Sequence, residues 1–229
     1  MLIIIDKKIP EEAKQALAAF GELMELATTG ITYEAISGHP DIFFCQAGAQ
    51  WIAAPNVPGE FLEILTREKV PFRIGENPVQ ENYPGTARYN AVLSDEMLIH
   101  NLDLTDPVIL RYAEDKDRIH VSQGYCRCNL LALQCNSFMT SDEGIHKILA
   151  GKGFPVLFVD PAEILLPGFR HGFIGGACGI FRDQVFFIGS LRHYAQGDAI
   201  REFIRDLRYE VVELYDGPLF DGGGVLFLE

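Results

Sequence analysis

The sequence predicts an α/β chain folded as a closed fivefold propeller of ββαβ units. One order of elements, hairpin then helix then strand, recurs four times, and half a unit is left over at each end. The helix starts near Pro10, Glu60, Asp106, Asp142 and Gly197 are separated by about 36 to 55 residues, within the period range of radial and stacked repeats.

The first complete unit is a hairpin, Asp41–Ala47 with Trp51–Pro55, a helix over Gly59–Lys69 with Phe61, Leu62 and Leu65 on one stripe, and a strand over Pro71–Gly75. The second has Arg88–Ser94 and Glu96–His100, a helix over Asp106–Asp117, and a strand over Arg118–Val121. The third pairs Cys128–Leu133 with Ser137–Thr140, opens its helix at Ser141 or Asp142 as cap, and ends on Phe154–Val159. The fourth has Phe173–Phe181, Gln184–Ile188, a helix over Gly197–Leu207 with Ile200, Phe203, Ile204 and Leu207 in one stripe, and a strand over Tyr209–Leu214. The remainder is Leu2–Ile5, a helix over Pro10–Phe20 and Glu22–Leu26 at one end, and Gly222–Leu228 at the other. Together they make the fifth unit. Its last strand then pairs with the first, which removes the open edges that a linear stack would have to cap. All 229 residues are expected in this single domain.

Composition narrows the function. Nineteen Lys and Arg against 32 Asp and Glu give a net charge of −13, and the basic residues form no run, so nucleic acid is excluded as a partner. No apolar stretch reaches the length of a membrane span, and MLIIIDKKIP has neither the length nor the charge order of an export signal. Five cysteines, an odd number, fit free thiols in a reduced cytoplasmic protein. Cys126 and Cys128 form a C-x-C without a second pair or a histidine at ligand spacing, so neither a metal nor a cofactor is expected.

The five-unit pattern, the Gly175-Gly176 pair before a hairpin and the terminal Asp221-Gly-Gly-Gly-Val-Leu-Phe-Leu228 resemble the pentein fold. That fold serves guanidine-modifying enzymes (arginine and agmatine deiminases, dimethylarginine hydrolase, amidinotransferases) and a non-catalytic ribosome anti-association factor. The resemblance implies a channel lined by the first strand of each unit, and a Cys nucleophile, a His acid–base and guanidinium-binding carboxylates at its mouth. The residues depart from that pattern. The deiminase ending is similar to GGGNIHC, and here Leu228 stands at the cysteine position. The family's EGGD has no counterpart, because Ile174 and Ala177 flank the two glycines.

The expected function is therefore a pentein-like protein without the usual Cys-His-carboxylate chemistry, binding a small polar or cationic molecule in its central channel. Asp41, Asn90, Asn129 and Asp221, each near the start of a unit's first strand, are the candidate ligand-binding residues. One alternative is a deiminase-like hydrolase with Cys178, in the small-residue run Gly175–Gly179, as nucleophile and His171 as its base. Another is an interaction protein that meets a protein partner on one face of the ring. Cys45, Cys126, Cys128 and Cys135 read as packed thiols, and His39, His100, His120, His146 and His193 as surface or strand-end residues. The irregular segments 78–84 and 160–172 are the ones long enough to cover a site.

Overall fold

The computed structural model describes residues 1–48 and 50–228. It contains five three-stranded sheets. The first complete sheet joins β3 (Phe44–Ala47), β4 (Gln50–Ala53) and, after helix α3 (Gly59–Arg67), β5 (Phe72–Ile74). β3 runs antiparallel to β4 and β4 parallel to β5, the connectivity of a hairpin followed by a helical crossover. The same plan recurs in β6 (Val92–Leu93), β7 (Met97–His100), α4 (Pro107–Tyr112) and β8 (Asp117–His120). It recurs again in β9 (Leu130–Leu133), β10 (Ser137–Thr140), α6 (Glu143–Gly151) and β11 (Val156–Phe158), and in β12 (Cys178–Phe181), β13 (Gln184–Phe187), α7 (Gly197–Asp206) and β14 (Glu210–Glu213). The fifth sheet is made from both ends of the chain. β15 (Leu226–Leu228) lies antiparallel to β1 (Leu2–Asp6), with Leu2 opposite Leu228, and β1 pairs in parallel with β2 (Glu22–Leu26) through α1 (Glu11–Ala18).

Every inner strand contributes to the lining of a central cavity of about 190 Å³, through Phe44, Val92, Leu131, Ile180 and Leu226 among others. The middle strands β1, β7 and β10 are buried throughout, and β4 and β13 at all but their first residue, because helices cover one side and neighbouring sheets the other. Ala13 and Leu17, Phe61 and Leu65, Val108 and Ile109, Ile145 and Leu149, and Ile200 and Ile204 carry the helix stripes into the core. Asp106 and Asp142 cap α4 and α6 by accepting from the Val108 and Ile145 N–H groups at 2.9 and 2.8 Å. Among the described residues no helix is long and apolar enough to cross a membrane.

The inner strands start later than their sequence pattern indicates. A helical turn comes first, α2 (Pro40–Phe43) before β3, α5 (Cys126–Asn129) before β9, and the 3-10 turn Gly175–Ala177 before β12. These turns are buried and apolar enough (Ile42, Phe43, Cys126, Ala177) that alternation continues through them without a break. Two further readings are corrected, and one holds: His100 ends strand β7 as expected and is buried there, whereas His39 is buried ahead of α2 rather than at the surface or a strand end, and Cys135 is exposed rather than packed, because it sits in the β9–β10 turn with positive φ.

Candidate functional site

The turns that precede the inner strands meet at one end of the ring. Their polar groups form a circuit through all five units. Asp41 N–H donates to the Gly223 carbonyl at 3.3 Å, Asn90 Nδ2 to the Asp41 carbonyl at 3.1 Å, and Cys128 N–H to Asn90 Oδ1 at 3.0 Å. Arg127 Nη1 donates to the Gly175 carbonyl at 2.6 Å, and the Gly222 and Gly224 N–H groups donate to the Gly176 carbonyl at 3.0 and 2.7 Å. Fivefold repetition thus delivers one short polar segment from each unit to one place.

Side chains converge inside this circuit. Cys128 Sγ donates to Asp41 Oδ2 at 2.9 Å and lies 3.2 Å from Asn90 Nδ2. His39 sits between two carboxylates, with Nε2 3.8 Å from Asp6 Oδ2 and Nδ1 3.9 Å from Asp221 Oδ1. Asp221 accepts from Phe173 N–H at 2.9 Å and from Gly223 N–H at 3.0 Å. Glycines at 172 and 176 make room for it, since a Cβ at either would collide with the Asp221 side chain. None of Asp6, Asp41 and Asp221 accepts a hydrogen bond from a Lys or Arg side chain among the described residues.

Burial controls the charges. It pushes the Asp6 and Asp41 carboxyls up to about 6, and, with the neighbouring charge of Asp41 added, Asp221 up to about 7. Burial holds His39 down at about 3, so its imidazole is neutral. The Cys128 thiol is raised well above its ordinary value by burial and by Asp41 and Asp221, and it stays protonated as the donor to Asp41.

Two adjoining cavities border the cluster. The inner chamber, of about 140 Å³, is lined by Tyr33, Tyr125, Cys128, His171, Phe173 and Asp221. The outer one, of about 420 Å³, is lined by Asp6, Lys8, Glu34, Pro167 and Phe169, and the two share Tyr33, His39, Leu166, Phe169 and Asp221. Phe169, 54% exposed, stands against Tyr33 at 5.9 Å between ring centres, so the 160–172 segment forms one wall. Tyr33 and Tyr125 hydroxyls are 3.2 Å apart, and Tyr125 reaches Thr86 Oγ1 at 2.6 Å.

The structure brings Asp41, Asn90 and Asp221 together and sets His171 in the chamber wall. Asn129 points elsewhere, its amide donating to the Tyr125 carbonyl at 2.9 Å and its oxygen accepting from Ser141 at 3.1 Å. Cys178 is fully buried on β12, lines neither chamber, and has its thiol raised by burial. Sequence reasoning passed over His39, Asp6, Arg127 and Cys128. The available signal was positional: Cys128 precedes Asn129 by one residue, and a helical turn rather than a strand at 126–129 brings the thiol, not the amide, to the centre.

Sequence comparison finds no match among curated proteins. Structural comparison finds DDAH from Pseudomonas aeruginosa, in a mutant form complexed with citrulline, at 13% identity and a TM-score of 0.55, covering 93% of this chain and 91% of that one. An amidinotransferase from Microseira wollei is similar at 13% identity and a TM-score of 0.55, covering 93% and 87%, and agmatine deiminase from C. jejuni at 10% and 0.56, covering 93% and 74%. These likenesses are likenesses of fold, and they bear out the fivefold propeller. Residues 4–226 match a family described as "Family of unknown function (DUF6873)", so the chain belongs to that family and carries the pentein fold of the guanidine-modifying enzymes.

Proposed function

We propose that this protein binds a small organic cation, a guanidinium or an amine, with its charged head in the inner chamber against Asp221 and the rest of the molecule directed towards Asp6 and the outer cavity. The observation that carries this reading is the pair of buried carboxylates, Asp221 and Asp6, that line the cavities without a Lys or Arg side chain bonded to either. A buried carboxylate is costly unless a cation or several donors compensate it, and an organic cation entering here meets both that charge and the aromatic side chains of Tyr33, Tyr125 and Phe173 that line the chamber. The chamber at the end of the ring suits a cation better than the channel itself. Arg127 lines the channel and presents positive charge there.

The reading is of binding without thiol attack, because Cys128 is held as a protonated donor. The test is thermal melting and calorimetry with agmatine, arginine and methylguanidine, with citrulline and urea as neutral controls. At 100 times the dissociation constant a cation adds about 2.7 kcal/mol, a rise of roughly 5 to 10 °C for a chain of this size. Asp221→Asn is expected to weaken binding at least tenfold, and the neutral controls to leave the melting point unmoved. Absence of a shift with every cation, or a shift indifferent to Asp221→Asn, overturns the proposal. Release of ammonia or a ureido product, lost in Cys178→Ser or His171→Gln, supports the hydrolase alternative instead.

A further inference from the structure

We propose that His39, Asp41 and Cys128 form a binding site for one divalent transition-metal ion of the zinc class, set beneath the chamber. One donor atom from each of these three side chains lies within 4.8 Å of the other two, and all three residues are buried. Two of the polar atoms have no hydrogen-bond partner, His39 Nδ1 and Asp41 Oδ1, on residues only 1% and 0% exposed. Bare buried polar atoms of this kind are rare because nothing offsets their lost hydration. Two of them in one cluster with a thiol point to a missing electrophile.

The chemistry of the donors selects the ion. Imidazole, carboxylate and thiolate together suit zinc and its first-row neighbours, whereas magnesium and calcium take sets made only of oxygen. A thiolate and a carboxylate carry two negative charges, so a divalent ion leaves the buried set neutral. Zinc bonds of about 2.0 to 2.3 Å require the donors to close to roughly 3.5 Å, a movement within reach of side-chain rotation. Binding forms the S–metal bond and breaks the Cys128 S–H bond, and the proton leaves to solvent.

The surroundings already orient the ligands. Asn90 holds the Cys128 backbone through Oδ1 at 3.0 Å and faces Sγ through Nδ2 at 3.2 Å. Asp6 stands 3.8 Å from His39 Nε2, so with Nδ1 on the ion the Nε2 proton would face that carboxylate, the arrangement in which a carboxylate supports a metal-bound histidine. Three protein ligands leave a further position towards Asp221 and the chamber, the pattern of metal sites that act on bound molecules. The inference reverses the sequence expectation of no metal. His39 and Asp41 come from one unit and Cys128 from another, so no linear spacing marks the set.

This site stands on its own donors and does not require the organic cation. The experiment uses the full chain with Cys135→Ser, which removes the exposed thiol as an adventitious ligand. Zinc is added, excess is dialysed away, and bound metal is counted. Affinity is measured against a chromophoric chelator, and cobalt(II) reports the ligands spectroscopically. The expected result is one equivalent of metal, with cobalt giving a near-ultraviolet thiolate-to-metal band. Cys128→Ser abolishes that band and weakens zinc at least 100-fold, and Asp6→Asn weakens it about tenfold. Less than a tenth of an equivalent bound at micromolar free zinc, or a cobalt spectrum unchanged by Cys128→Ser, overturns the proposal. If Cys128→Ser does not fold, the decision passes to the parent chain. There zinc raises the melting point and Asp41→Asn removes that rise, and a melting point unmoved by zinc overturns the proposal. Guanidine binding that persists after metal removal, or metal binding without any guanidine binding, tells the failure of one proposal from that of the other.

Discussion

Replacing Gly176 by alanine is a direct test of how Asp221 is held. A Cβ at this position would overlap Asp221 Oδ1 and lie 2.5 Å from its carboxyl carbon, well inside the approach real Cβ atoms make. The carboxylate cannot swing aside freely, because Phe173 and Gly223 N–H groups fix its two oxygens at 2.9 and 3.0 Å. Displacing it gives up both bonds, at about 1.5 kcal/mol each for a group of this kind, about 3 kcal/mol together. Alanine returns about 0.5 to 1 kcal/mol by restricting the unfolded chain, leaving a net loss of about 2 to 2.5 kcal/mol. For a chain of this length that corresponds to a melting point lower by roughly 4 to 10 °C. Gly151, the last residue of α6, is the control, since a Cβ there meets nothing within 4 Å. Gly151→Ala is expected to hold or raise the melting point. The assay is thermal unfolding by circular dichroism with urea midpoints at constant m value. A Gly176→Ala protein that melts within about 2 °C of the parent would refute the reasoning, because the carboxylate would then be free to move.

Two further outcomes are expected. His100 is buried with Nε2 donating to the Gly124 carbonyl at 2.8 Å and Nδ1 2.7 Å from the Thr105 hydroxyl, and burial, with a smaller push from His120, lowers it from 6.5 to about 4. The unfolded chain therefore binds the extra proton, so this contribution to stability is complete above pH 6.5 and is lost as the pH falls towards 4, by about 3 kcal/mol at 1.36 kcal/mol per unit. The raised carboxyls of Asp6, Asp41 and Asp221 act in the opposite direction, so urea titrations compare the parent with His100→Gln, and a difference that does not change with pH over this window overturns the assignment. Cys135 is exposed while Cys45, Cys126, Cys128 and Cys178 are buried, so iodoacetamide should modify one thiol rapidly and the other four only on unfolding; a second fast thiol in the native protein would contradict the packing.

The repeat was legible in the sequence because each unit must bury its own apolar stripes, and that need writes a local period. The stripe Ile200, Phe203, Ile204 and Leu207, the cap offered by Ser141 or Asp142, and the complementary half-units at the two ends therefore predicted five sheets and a ring closed by β15 on β1. Asp41, Asn90 and Asp221 were legible in part for the same reason, since equivalent places in successive units fall at one end of a ring.

What only the tertiary structure decided is which atoms face each other there. Whether residues 126–129 form a strand or a helical turn determines that Cys128 rather than Asn129 meets Asp41, 87 positions away, and the apolar pattern is indifferent to that choice. Nor does a local pattern mark His39, whose lost charge comes from its burial between Asp6 and Asp221, with the charge of Lys8 pushing the same way. The sequence by itself determined the periodic burial that builds the ring. The site depended on long-range convergence, because its electrostatics arise from groups that neighbour one another only after the five units have closed.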